Sequence, residues 1–288
     1  MRRALVVVNP IAGRGRGRHI LHDVEQGLKR QGVCTNAAVT ARPGDARLAA
    51  ARAAEHDLVV VIGGDGTLNE VINGLEADVP VALCPLGTGN VLAKELRLPR
   101  RVGRFCDLVR QGRERALDVA SVQGRRFVCM AGVGFDAEVA RSLATGRRGP
   151  IHITRYAGPI LAHLATYRFP RLEVSVDGGE PVAAEGFALI SNVRAYGGPL
   201  VITPDAQPSD GLLDVCVLRR GTRLAYLRAL LAFFFGCQRT LSGAQYFRGR
   251  SVRVTAAAEV AYQVDGDPAG LLPATFELLN RKLRFLVP

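Results

Sequence analysis

The sequence predicts an N-terminal Rossmann-like α/β domain followed by an antiparallel β-sandwich domain. Three observations carry that prediction. Continuous apolar segments alternate with segments of helical period over the first 120 or so residues, as in a parallel sheet covered on both faces. Polar, glycine-bearing loops follow those apolar segments directly. From about Phe127 the texture changes to short apolar segments divided by Gly, Pro and Asp turns.

Residues 5–8, 33–40, 58–62, 79–84 and 116–122 read as strands. Residues 20–29, 46–55, 68–75, 91–96 and 105–110 read as the helices between them. In the second half, residues 172–176, 186–191, 213–218, 251–255, 262–264, 275–278 and 283–287 read as short strands. One clear helix stands there, residues 223–236, carrying the run Leu230-Leu231-Ala232-Phe233-Phe234-Phe235. No internal repeat or low-complexity linker interrupts the chain. The expected domains are 1–122 and 123–288, with the last residues able to pack back on the first.

Composition narrows the function classes. Of 288 residues, 48% are hydrophobic and 22% charged, the values of an ordinary globular protein. Lys and Arg number 38 against 26 Asp and Glu, a net +12 spread over both halves rather than gathered in a tail. A diffuse positive surface suits anionic membranes, nucleic acid or phosphorylated substrates, and a merely solvated arginine-rich surface is the plain alternative. The absence of Trp, the few aromatics and the lack of any nucleic-acid module argue against nucleic acid. Six cysteines without CxxC spacing and five histidines without metal-ligand spacing argue against a disulfide framework or zinc site. The apolar part of the N-terminus is too short for a signal peptide, and no stretch reaches the roughly 18–20 apolar residues of a spanning helix. A cytoplasmic protein is expected.

The most informative segment is Val59-Val60-Val61-Ile62-Gly63-Gly64-Asp65-Gly66-Thr67, with Leu68, Val71, Ile72 and Leu75 following at helical spacing. A strand, a glycine turn and a helix N-terminus make an anion site, because the first N–H groups of the helix are unpaired and glycine admits a phosphate. Asp65 would repel that phosphate unless a cation lies between them, so nucleotide phosphate with Mg²⁺ is the economical reading. Asn9-Pro10-Ile11-Ala12-Gly13 and Leu86-Gly87-Thr88-Gly89-Asn90 follow other strands of the same sheet, which puts three such loops on one rim. No GxxxxGK[ST] is present. Gly132-Val133-Gly134-Phe135-Asp136-Ala137 fits a dinucleotide fingerprint, but no strand–helix–strand unit with a ribose acid follows it, and it is set aside. Ser209-Asp210-Gly211 reads as a turn, with a structural Mg²⁺ site as its functional alternative; Val264-Asp265-Gly266-Asp267 reads as a hairpin turn.

These loops occur in the order and spacing of the diacylglycerol kinase catalytic family, and the chain resembles its soluble bacterial lipid kinases over essentially its whole length. The resemblance implies ATP in a cleft between the two domains. It assigns ATP contacts to Asn9, Pro10, Gly13, Thr40, Gly63, Gly64, Asp65, Gly66, Thr67, Asn69, Glu70, Gly87, Thr88, Gly89 and Asn90. Asp65 would hold the ATP-bound Mg²⁺, and Asp210 with the backbone of Leu212 a structural metal. Asp267 stands at the position of the general base, usually Glu, and Asp118 at that of a supporting acid. Asp267 is one C–C bond shorter than Glu, and Val91 stands where the family often has Asp.

The expectation is an ATP- and Mg²⁺-dependent kinase acting on a hydroxyl of a membrane lipid such as diacylglycerol. It would contact anionic membrane peripherally and leave a homodimer open through an edge strand. An NAD-kinase-like enzyme of soluble small molecules and a non-catalytic lipid- or nucleotide-binding protein are the alternatives. Residues 223–236 would either rest at the membrane interface or pack as a core helix.

Overall fold

The computed structural model describes residues 2–145, 154–197 and 200–288. The chain divides into two compact units, Met1–Leu117 with Arg281–Pro288, and Asp118–Asn280.

In the first unit, β1 (Arg2–Val8), β2 (Val33–Val39), β3 (Leu58–Gly63) and β4 (Val81–Pro85) form a parallel sheet in the order β2-β1-β3-β4. Register runs Val7 to Val61 and Val61 to Leu83. At the end of the chain, Phe285 pairs in parallel with Val81. Consecutive residues of β3 and β4 are buried whichever face they point to, which is why these strands are apolar without alternation. Each such Val, Leu or Ile contributes about 1.5–3 kcal/mol on burial. The helices between them are α1 (Gly17–Arg30), α2 (Asp45–Ala50), α3 (Asp65–Gly74), α4 (Val91–Glu95) and α5 (Val102–Gln111). Helix α1 buries Val24 and Leu28 and ends in Lys29 and Arg30, which complement the C-terminal dipole. The single helix expected over residues 46–55 is instead α2 and a separate 3₁₀ turn at Ala53–Glu55.

The second unit is a β-sandwich. Strand β5 (Arg113–Val122) enters it and pairs with β6 (Arg125–Phe127). One sheet has the order β12-β11-β10-β7-β14-β15, antiparallel throughout, formed by β7 (Met130–Gly134), β10 (Phe187–Ser191), β11 (Leu213–Leu218), β12 (Ala244–Gly249), β14 (Ala261–Val264) and β15 (Asp267–Leu271). Facing it, β8 (Arg171–Val176) pairs with β9 (Val182–Glu185) and β13 (Ser251–Ala256), and β13 with the first residues of β16 (Ala274–Val287). Inward residues of both sheets, among them Val133, Val174, Ile190, Val215, Val254, Tyr262 and Phe276, make one core.

Two expectations for this unit need correction. Besides α8 (Arg223–Phe235) there are two more helices, α6 (Phe135–Thr145) and α7 (Thr154–Thr166). Gly158 and Pro159 inside α7, and the glycines leading into α6, read as breakers and hid both. The two strands expected over residues 275–287 are one continuous β16, whose polar Asn280-Arg281-Lys282 imitates a loop.

Candidate active site

In a parallel sheet the C-terminal ends of adjacent strands share one edge, so the loops after β1, β3 and β4 meet there. Thr40 follows β2 on the same edge, its N–H donating to Val8 O at 2.9 Å. The loops are locked together. Leu86 N–H donates to Gly63 O (2.8 Å) and Asn9 N–H to Ile62 O (3.0 Å). Asn9 Nδ2 reaches Thr67 Oγ1 (3.4 Å), while Asn9 Oδ1 accepts from Ile11 N–H (3.1 Å). Gly64 and Gly87 approach so closely that a Cβ on Gly64 would lie 2.8 Å from Gly87 Cα, and one on Gly87 2.6 Å from Gly64 Cα. Only glycine permits that approach.

Helix α3 starts at this contact, and no side chain caps it, so its leading N–H groups remain for an anion. Asp65, at its first position, accepts Val91 N–H through Oδ1 at 2.8 Å and so ties the β3 loop to α4. Burial holds the Asp65 carboxyl above the ordinary carboxylate range, against the pull of that bond and of the Lys94 charge. Asn90, buried at φ 47°, donates to Gly87 O at 2.6 Å, but its Oδ1 has no partner among the described residues. An uncapped helix start, a glycine cradle and an orphaned buried acceptor together fit a nucleotide. A divalent cation at Asp65 would offset the cost that burial places on that carboxylate.

Asp118, Asp210 and Asp267 fall into two groups, all in the second unit. Asp118 Oδ2 accepts Gly211 N–H (2.7 Å), and Asp118 N–H donates to Pro208 O (2.8 Å), so Asp118 holds the turn at 208–212. In that turn Asp210 Oδ1 accepts Leu212 N–H at 3.1 Å, and its other oxygen pairs with the Arg248 guanidinium. Arg248 also lies 3.4 Å from Asp214, whose carboxyl burial pushes up to about 6.

Asp267 belongs to the second group. It opens β15 after the Asp265-Gly266 turn, where both residues have positive φ (49° and 89°), as a two-residue hairpin requires. Its Oδ2 lies 3.7 Å from the Arg125 guanidinium. Asp265 Oδ1 accepts the N–H groups of Cys129 (3.2 Å) and Met130 (3.0 Å).

Comparison with known proteins follows this division. Residues 3–122 match the diacylglycerol kinase catalytic domain, and residues 129–287 match the YegS C-terminal NAD kinase beta sandwich-like domain. A diacylglycerol kinase of Mycobacterium tuberculosis is 33% identical over 98% of this chain and 94% of its own length. One from Bacillus subtilis is 28% identical over 100% and 97%. The chain belongs to the diacylglycerol kinase catalytic-domain family. A crystal structure of a Bacillus anthracis diacylglycerol kinase, 21% identical, matches its fold with a TM-score of 0.77 over 100% of this chain and 97% of that one. An Archaeoglobus fulgidus NAD kinase, solved with ATP, matches at 0.58 and 15% identity over 99% and 93%.

For a member of this family, three placements matter. Val91 contributes its backbone N–H to Asp65, a bond that any residue but proline at 91 could make. Glu70 accepts Ala46 N–H at 3.2 Å and so serves the start of α2. Asp210 gives one oxygen to Leu212 N–H and the other to the Arg248 guanidinium, so a divalent ion there would compete with Arg248 for that carboxylate.

Sequence reasoning missed one network. Gln263 Nε2 donates to buried Asp136 Oδ2 at 2.7 Å, and Gln263 Oε1 accepts Gly266 N–H at 2.6 Å. Asp136, from the segment set aside as a dinucleotide fingerprint, thus sets the direction of the amide that holds the turn before Asp267. A Cβ on Gly132 would overlap Asp136, which explains that glycine. An acid beside paired glycines was the available signal.

Proposed function

We propose that the chain is an ATP- and Mg²⁺-dependent lipid kinase that phosphorylates a hydroxyl of a membrane lipid, diacylglycerol first among the candidates. The Gly64–Gly87 approach at the uncapped start of α3, joined to Asp65 and Val91, is the observation that carries this reading. The names of the bacterial relatives support the acceptor.

Asn9, Gly13, Gly63, Gly64, Gly66, Thr67, Asn69, Gly87, Thr88, Gly89 and Asn90 would hold the nucleotide, with Thr40 beside them on the rim. Mg²⁺ carried by Asp65 would supply charge neutralisation to a transfer that depends on positioning and electrostatics more than on covalent chemistry. Asp267 takes the proton of the acceptor hydroxyl, and its position after a fixed turn sets its reach. Asp118, at the position of the acid that supports the base, holds the 208–212 turn through Gly211 N–H.

An NAD-kinase-like reading is favoured by the likeness of fold and by the Gly63-Gly64-Asp65-Gly66 loop, which such kinases also use. Incubation with γ-labelled ATP and Mg²⁺ against diacylglycerol, phosphatidylglycerol, a sphingoid base and NAD separates the two. Label in a lipid and none in NAD is expected; labelled NAD would overturn the lipid acceptor. ATP binding without any labelled product would favour the non-catalytic binder.

A further inference from the structure

Apart from Arg223 and Arg228, every residue of helix α8 is apolar or aromatic, a composition that belongs to a buried helix. Only its inner face is covered. Tyr226, Ala229 and Phe233 are buried, and Tyr226 is fixed by Phe135 and Phe169 at ring distances of 5.2 and 4.5 Å and by a 2.5 Å bond to Glu185 O. The outer face presents Leu224, Leu227, Leu231, Phe234 and Phe235, the last 70% exposed. They fall at helical spacing on one stripe, and the neighbouring α7 adds exposed Leu161. So contiguous an apolar surface marks an interaction site.

The charges around the stripe say what covers it. Arg219 and Arg220 precede the helix, Arg223 and Arg228 lie on its exposed side, and Arg239, paired with Asp205, follows. No Asp or Glu occurs between Asp214 and Glu259. A second copy docking through this face would set arginines against arginines, because a two-fold contact brings the same patch together. An anionic bilayer satisfies both features, accepting the leucines and phenylalanines below the headgroups and the guanidiniums among them.

We propose that the outer face of α8, with its flanking arginines, is the surface by which this protein sits on an anionic membrane. The proposal rests on the reading that the acceptor is a membrane lipid, but it can be tested without turnover. The chain has no Trp, so a single introduced one reports its own surroundings. Phe235→Trp is expected to shift to the blue, and to be quenched by brominated lipid, with phosphatidylglycerol-containing vesicles. Leu48→Trp, exposed on the first unit, is expected to do neither.

In sedimentation with the same vesicles, Leu231→Asp with Phe235→Asp should lower the bound fraction more than about tenfold, since each side chain loses its apolar burial. Arg219→Glu with Arg220→Glu should do so only on anionic vesicles. Both pairs are exposed, and unchanged melting would show the fold intact. An unshifted Phe235→Trp, or aspartate variants that still sediment, would overturn the proposal. So would a dimer in light scattering that the aspartates dissociate while vesicle binding persists. Absence of lipid phosphorylation alongside intact, α8-dependent vesicle binding would count against the kinase reading alone.

Discussion

At the scale of single residues, two kinds of side chain shape the account: glycines where backbones meet, and acids held away from water. Gly64→Ala or Gly87→Ala would press a Cβ onto the opposing backbone, which cannot yield as a flexible side chain would. Each is expected to weaken ATP binding more than about tenfold and to cost about 1–3 kcal/mol of stability. Gly103→Ala, on α5 with open space around it, should be neutral or slightly stabilising. Calorimetric titration and melting check both. Asp136 yields a prediction with a sign. Burial raises its carboxyl from 3.8 to about 6, so its contribution to stability is fully present below about pH 3.8 and lost as pH rises through about 6. Asp136→Asn keeps an acceptor for Gln263 and removes the titration. The variant should therefore melt above the native protein at neutral pH, with the gap closing towards pH 4. A gap independent of pH would show that Asp136 does not carry this cost.

At the scale of elements, what was legible in the sequence depended on how local the physics is. The loop after β3 could be read because a strand of branched residues, two glycines and a helical period adjoin one another. The β14–β15 turn could be read from Asp265-Gly266, a pair suited to positive φ. The bond from Asp65 to Val91 spans 26 residues and no spacing announces it. Helix α7 was hidden by Gly158 and Pro159, and the Asp136–Gln263 pair joins a helix to a strand far along the chain. Glu70, assigned to the nucleotide by resemblance, has a structural partner as well. As the acceptor of Ala46 N–H it supports α2, so Glu70→Ala should cost about 1 kcal/mol in melting while ATP affinity stays nearly unchanged. A fall in affinity without a fall in stability would return Glu70 to the nucleotide.

At the scale of the whole molecule, net charge and hydropathy bear on the proposed membrane contact. No described helix is long and apolar enough to span a bilayer, yet the net charge is +12 and α8 exposes leucine and phenylalanine. Attraction of this kind is screened by salt, whose Debye length is about 10 Å at 0.1 M, so vesicle binding should fall as salt rises. The kinase reading itself meets its most direct test in transfer of labelled γ-phosphate from ATP to diacylglycerol in mixed micelles with Mg²⁺. The native protein, Asp65→Ala, Asp267→Asn and Asp267→Glu would be compared. Labelled product from the native protein is expected, abolished in Asp65→Ala, reduced about 10²–10⁴-fold in Asp267→Asn and retained in Asp267→Glu. Undiminished transfer by Asp267→Asn would contradict the role given to that carboxylate, and no product from the native protein with any lipid hydroxyl would contradict the kinase.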